Sequence, residues 1–311
     1  MNIVFIGTSK FAVPALEKLV ASPHKVLAVA TQPDRPKGRG QEMKPTPVKE
    51  VAAAKGAFLY QPEEINDYEF VRELRALSPD VIVVVAYGQK LGQEILEMPR
   101  FYCLNIHPSL LPKYRGAAPV ARAILNGDTY TGVCVVQVTE KMDAGPILGV
   151  TRVEVPFDAS TPDLEAKLAD IGGDLLLEVL QSIQDRRHIE LPQDDREATF
   201  ARKFEKNDGK IDWRKPALKI HNFVRALQPF PCAFTSLNKT RITLYRVKPQ
   251  RLPQRPSQRA GAVLSADKDG IKVACSDGEI TILELQPENK RRMTAEEFVN
   301  GYKPKPGDCF V

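Results

Sequence analysis

Near-continuous runs of Val, Ile and Ala alternate with stretches of helical period, and this alternation does most to limit what the chain can fold into. The runs lie at 2–7, 26–31, 57–60, 80–87, 101–106 and 132–138. The helical stretches lie before residue 21 and near 47–55, 67–77, 91–97 and 117–126. A strand facing water on one side alternates polar and apolar residues; a strand covered on both faces does not. The pattern predicts an α/β domain with a mostly parallel sheet between helices. Residues 147–155 are expected to add an edge strand, and 161–185 to form one long amphipathic helix closing the domain.

A first strand ending in a phosphate-binding turn would read Gly-x-Gly-x-x-Gly. Here Gly7 is followed by Thr-Ser-Lys-Phe-Ala, which argues against a nicotinamide or flavin enzyme. The sequence has no Gly-x-x-x-x-Gly-Lys-Ser/Thr loop either, which argues against phosphoryl transfer. No apolar run approaches the roughly 18 residues of a membrane span, and no signal or transit peptide is read at the start. Five scattered cysteines (103, 134, 232, 275, 309) suit a reducing, cytoplasmic setting. The four histidines (24, 107, 188, 221) have no ligand-like spacing, so no metal is expected.

At 311 residues, two domains are expected. The boundaries are read at 1–188, a polar linker at 189–207, and a second domain at 208–311. Short alternating runs at 233–237, 241–247, 260–266, 270–275 and 279–285 predict a small OB-like β-barrel behind a helix at 216–227. Residues from 201 onward carry a net +10 against −5 for the first 200. This asymmetry suggests that the second half meets a polyanion. Between Lys239 and Arg259 lie seven cations and no acid; Lys239, Arg241, Arg246 and Lys248 are the candidate nucleic-acid contacts. The 32–47 connection is also too long for its place. It carries Arg35, Lys37, Arg39 and Lys44 among prolines and glycines expected to keep it out of regular structure. The plainer reading of each basic stretch is a solvated surface.

The candidate reaction centre is the 102–116 stretch. Pro108 cannot extend a ladder, so the strand should stop near His107. Alternation then puts Cys103, Asn105 and His107 on one face. Asp143, in the loop leaving the 132–138 strand, can reach the ring if the two strands are neighbours. A carboxylate favours the imidazolium, and imidazolium plus amide offer donors to a developing oxyanion. The carboxylate can also take a proton from an attacking amine. Ser109 lacks the surroundings of a nucleophile elbow, and Cys103 reads as buried packing. Ordinary hydrogen bonding at a capped strand end remains an alternative for Asn105 and His107.

The motif Asn105-x-His107-x-Ser109-Leu-Leu-Pro112, with Tyr114-Arg-Gly116 and later Met142-Asp-Ala-Gly-Pro146, resembles the folate-dependent formyltransferases. The resemblance implies a Rossmann-like catalytic domain and an Asn-His-Asp trio at Asn105, His107 and Asp143. It implies 10-formyltetrahydrofolate as formyl donor, with Ser109, Leu110, Leu111 and Pro112 lining the folate site. Val85, Ala86, Tyr87 and Gly88 should border the pterin pocket. Gln32-Pro-Asp-Arg-Pro-x-Gly-Arg-Gly40, Ile211-Asp-Trp213 and Gln286-Pro287 resemble the branch that formylates initiator methionyl-tRNA. In that branch the 32–47 loop reads tRNA, and its glycine-flanked arginine falls on Arg39. Ser9-Lys10 departs from the family's usual proline and acidic residue. The alternatives are a formyltransferase for an amino sugar or purine precursor, and an RNA-binding protein with a relic front domain. A monomer is expected.

Overall fold

Only Asn2 of the first strand, Asn2–Gly7 (β1), reaches solvent, as expected of a strand covered on both faces. The computed structural model describes residues 1–37, 42–254 and 257–311. Val13–Ala21 (α1) turns Ala15, Leu16 and Leu19 inward and leads to Lys25–Ala30 (β2). A two-stranded antiparallel ribbon follows, Arg35–Lys37 (β3) and Glu42–Lys44 (β4). Then come Pro47–Ala54 (α2), Leu59–Tyr60 (β5), Tyr68–Ala76 (α3), Val81–Val85 (β6), Gln93–Leu96 (α4) and Tyr102–His107 (β7). Pro119–Asn126 (α5), Tyr130–Gln137 (β8), Ile147–Glu154 (β9) and Thr161–Gln184 (α6) complete this part of the chain.

Local chemistry sets the helix starts. The Thr46 hydroxyl accepts from Lys49 N–H at 3.0 Å to open α2, and the Asp67 carboxylate accepts from Glu69 and Phe70 N–H to open α3. The ribbon of β3 and β4 departs from the irregular loop expected at 32–47. Pro36, paired with Met43, is compatible with a ribbon that has two open edges. Arg39 lies outside the described residues.

The sheet runs β5-β2-β1-β6-β7-β8-β9. It is parallel from β5 to β7 and antiparallel from β7 to β9. By contacts the chain forms two compact units. The first comprises Met1–Pro119, Tyr130–Glu154 and Glu165–Ala201; the second comprises Val120–Thr129, Val155–Leu164 and Arg202–Val311. Residues 189–201 thus go with the first unit, while 120–129 and 155–164 go with the second.

In the second unit, Ala217–Ala226 (α7) precedes Ala233–Leu237 (β10), Thr240–Arg251 (β11), Val263–Asp267 (β12), Gly270–Ala274 (β13) and Gly278–Pro287 (β14). Met293–Thr294 (β15) and Ala295–Tyr302 (α8) follow. The antiparallel path β10-β11-β14-β13-β12 surrounds a core that includes Trp213, Ile220, Leu244, Ile282, Phe298 and Phe310. The Trp213 indole N–H donates to Thr235 Oγ1 at 3.0 Å, so its polar atom is satisfied inside the core. Helix α8 has no counterpart in the sequence reading, although Thr294 and Glu297 form the capping box that announces it.

Two adjacent glycines let α6 lie close to its neighbours. A Cβ on Gly172 would sit 2.7 Å from Ile106 Cγ2, and one on Gly173 would sit 2.8 Å from Lys18 Cδ. Ile106 directly precedes His107, so the approach of α6 bears on the strand end that carries the ring. In an exposed helix Gly→Ala stabilises by about 1 kcal/mol. Here the stiff Ile106 methyl opposes it, and overpacking costs about 1–3 kcal/mol. Gly172→Ala is therefore expected to lower the urea midpoint, and a raised midpoint would show that the contact yields freely.

Candidate active site

His107 closes β7 with its side chain 5% exposed, and Asn105 lies two residues earlier, half-buried. The ring Nε2 lies 2.9 Å from the Tyr114 carbonyl oxygen. A carbonyl only accepts, so Nε2 carries a proton and donates. Nδ1 then faces Asp143, whose Oδ2 is 3.6 Å away. The same Oδ2 accepts the Gly116 N–H at 2.8 Å. Residues 114–116 therefore hold the ring with one backbone atom and the carboxylate with another. Among the described residues the Asn105 amide has no hydrogen-bond partner, leaving its N–H groups available.

The sequence argument for Asp143 assumed a strand whose carboxyl end opens beside that of β7. Because β8 is antiparallel to β7, pairing His107 with Cys134 and Leu104 with Gln137, its end lies at the far end of β7. Asp143 reaches His107 because the 138–146 loop folds back. Three features hold it there. Gln137 N–H donates to Pro146 O at 2.9 Å. The Gln193 amide donates to Asp143 O at 2.9 Å and to Gly145 O at 2.7 Å. Gly145 also packs so tightly on Gln137 that a Cβ would overlap the Gln137 carbonyl oxygen. Asp143 itself sits at φ +50°, a region that disfavours a Cβ.

The other candidate residues divide between packing and exposure. Ser109 is fully buried, and its hydroxyl donates to Lys113 O at 2.7 Å. Leu111 packs with Cys134, Val136 and Ile147. A Cβ on Gly132 would collide with the Leu110 side chain, so Leu110 lies against β8; Pro112 is half-buried. Val85 is buried, Ala86 (φ +46°) and Gly88 (φ +99°) are exposed, and Tyr87 is 3% exposed. The Tyr87 hydroxyl is buried with no partner among the described residues, and burial, with Glu64 nearby, pushes its pKa up to about 12. The Tyr87 ring packs in the apolar cluster with Ile82 and Val84. Burial pushes the Cys103 thiol up to about 12 as well, against any role as a nucleophile.

Several candidate cations already have internal partners. Arg35 pairs with Glu63 at 2.9 Å, Arg246 pairs with Glu284 at 3.3 Å, and Arg241 stacks on the Phe234 ring at 3.6 Å. Lys44, Lys239 and Lys248 are exposed and lack an ion pair among the described residues. Lys248 lines a groove of about 520 Å³ with Lys272, Asp267 and Asp269. Lys37 lies in β3, at the end of the described part of the ribbon.

Sequence reasoning did not single out Gln193 or the burial of Arg115. Gln193 falls in a polar, aperiodic stretch with no signal of its own. Arg115 could be noticed only as part of the 114–116 motif.

The profile of the Formyl transferase family matches residues 1–180, and that of Formyl transferase, C-terminal domain, matches 203–303. The methionyl-tRNA formyltransferase of Halothermothrix orenii is 43% identical over 313 residues, covering 99% of each chain. The solved methionyl-tRNA formyltransferase from Clostridium thermocellum superposes with a TM-score of 0.55 at 18% identity, over 80% of this chain and 94% of that one. HypX from Aquifex aeolicus in complex with tetrahydrofolic acid gives 0.66 at 18% identity, over 97% of this chain. This chain spans about half of HypX, 48%. At such identities the two structures speak for the fold alone.

Gly145→Ala is expected to push the 138–146 loop off Gln137 and draw Asp143 away from Gly116. Native-state hydrogen exchange at the Gly116 amide should quicken by about tenfold or more. Unchanged exchange would mean that the loop is held without this close approach.

Proposed function

The chain belongs to the formyl transferase family, and we propose that it moves the formyl group of 10-formyltetrahydrofolate to the α-amine of methionine esterified to initiator tRNA. The observation that carries the chemistry is the 3.6 Å approach of Asp143 to His107, with the unpartnered Asn105 amide on the same face. Full-length identity of 43% to a methionyl-tRNA formyltransferase supports that acceptor over an amino sugar.

Asn105 donates to the formyl oxygen, joined by His107 once the ring Nε2–H turns from the Tyr114 carbonyl, as the amine nitrogen attacks the carbon and the carbonyl electron pair moves onto oxygen. Donors aimed at charge that develops only in the transition state lower the barrier without tightening the ground state. Asp143 orients the ring and takes the proton shed by the attacking nitrogen. When the oxyanion collapses, the bond to the folate nitrogen breaks, and that nitrogen leaves with a proton. Ser109, Leu110, Leu111 and Pro112 line the donor's site together with the 85–88 turn, where the Tyr87 hydroxyl offers a polar contact. Lys44 with Arg35, Lys37 and Arg39 of the 32–47 connection, and separately Lys239 and Lys248 with Arg241 and Arg246 of the second unit, meet the tRNA backbone through their positive charge. Arg35 and Arg246 would exchange a carboxylate partner for a phosphate.

Incubation with 10-formyltetrahydrofolate should yield N-formylmethionine on charged initiator tRNA and nothing on uncharged tRNA. Asn105→Ala, His107→Ala and Asp143→Ala should each lower kcat by about 10²-fold or more and leave tRNA affinity within about twofold. Near-normal turnover of His107→Ala would overturn the mechanism. tRNA affinity should fall steeply with salt, and Lys248→Ala should flatten the log–log slope by about 0.7–1. A salt-independent Kd would point to a small acceptor instead.

A further inference from the structure

We infer that Gln193 is a positioning residue for Asp143, an assignment that rests on the formyl-transfer reading of the site. Its amide is used at both ends. Oε1 accepts from Arg115 Nε at 3.1 Å and from Nη2 at 2.8 Å, while Nε2 donates to the Asp143 and Gly145 carbonyls. The amide orientation follows from its surroundings, because a flip would set N–H against guanidinium N–H and oxygen against carbonyl oxygen. Arg115, 1% exposed, is in turn held by Asp195 at Nη1, 2.7 Å away. Lys141, in the same loop as Asp143, also pairs with Asp195.

These contacts make more than a general strut. The carbonyls that Gln193 holds flank the Asp143–Gly145 segment, where Asp143 keeps its left-handed backbone. The guanidinium that holds Gln193 belongs to the residue preceding Gly116, whose N–H holds the Asp143 carboxylate. Gln193 therefore closes a ring running from Arg115 through the loop to Asp143 and back through Gly116. Opening the ring at Gln193 frees the backbone of Asp143 and leaves its carboxylate on a single hydrogen bond. The carboxylate would then lose its register against His107 without any change in the residues that meet substrate.

Gln193→Glu is the informative substitution. It keeps an acceptor for Arg115, and so keeps that guanidinium paired, but sets a second oxygen against two carbonyls. The melting temperature of this variant should stay near wild type. Its kcat should fall about 10–100-fold, with KM for donor and tRNA within about twofold. In the free protein, the backbone amide resonance of Gly116, shifted downfield by its carboxylate partner, should move upfield. Gln193→Ala should do the same, and if it folds poorly the Glu variant decides. An unmoved Gly116 resonance, an unchanged kcat, or a loss confined to KM would each overturn the assignment. The resonance is read without substrate, so it tests the clamp even if wild-type protein fails to formylate methionyl-tRNA. That failure would overturn the acceptor and leave the clamp standing.

Discussion

A guanidinium leaves water at tolerable cost only where its donors are met, and the burial of Arg115 is the constraint on which the rest of the site depends. Its partners, Gln193 and Asp195, both come from residues 189–201. The backbone of the same segment binds the 114–117 strip, with Arg115 N–H donating to Thr199 O at 2.8 Å and Ala201 N–H to Arg115 O at 2.7 Å. Gly116 turns at φ +112°, where a Cβ would lie 3.0 Å from Ala201 O. The strip so fixed presents the Tyr114 carbonyl to the ring of His107 and the Gly116 N–H to Asp143. Neither His107 nor Asp143 is held by its own strand or loop alone.

This arrangement is compatible with a sheet that changes direction. In a wholly parallel sheet, loops carrying functional residues emerge together at the strands' carboxyl ends. Here β8 runs antiparallel to β7, and β9 antiparallel to β8, so the loop that bears Asp143 must double back. Gly145 permits the tight return and Gln193 secures it. On the other side, the buried Ile106 and Gly172 bring α6 against the strand that ends in His107.

The positive charge of the second half is less freely available than its total suggests. Arg246 and Arg292 both meet Glu284, and Arg241 sits over the Phe234 ring. Charges already paired contribute to a polyanion's binding only by exchange. The exposed lysines without internal partners remain the cations that can release counterions outright.

Much was legible along the chain because it depends on local pattern. Val81–Val85 is buried at every position, and so carries no alternation. The strand β7 ends at His107, just before Pro108, and two-residue alternation aligns Asn105 with His107. In the second unit, the alternating Ala233–Leu237 reads as one buried face. By itself, then, the sequence determined the layered α/β sheet, the antiparallel second part and the three residues proposed for the chemistry. The direction of β8, the fold-back that brings Asp143 to 3.6 Å from His107, and the clamp made by Gln193 and Arg115 were decided only in the tertiary structure. Each joins residues tens of positions apart whose neighbours show no periodicity, and hydrogen bonds between polar loop atoms leave no mark on the pattern of apolar residues.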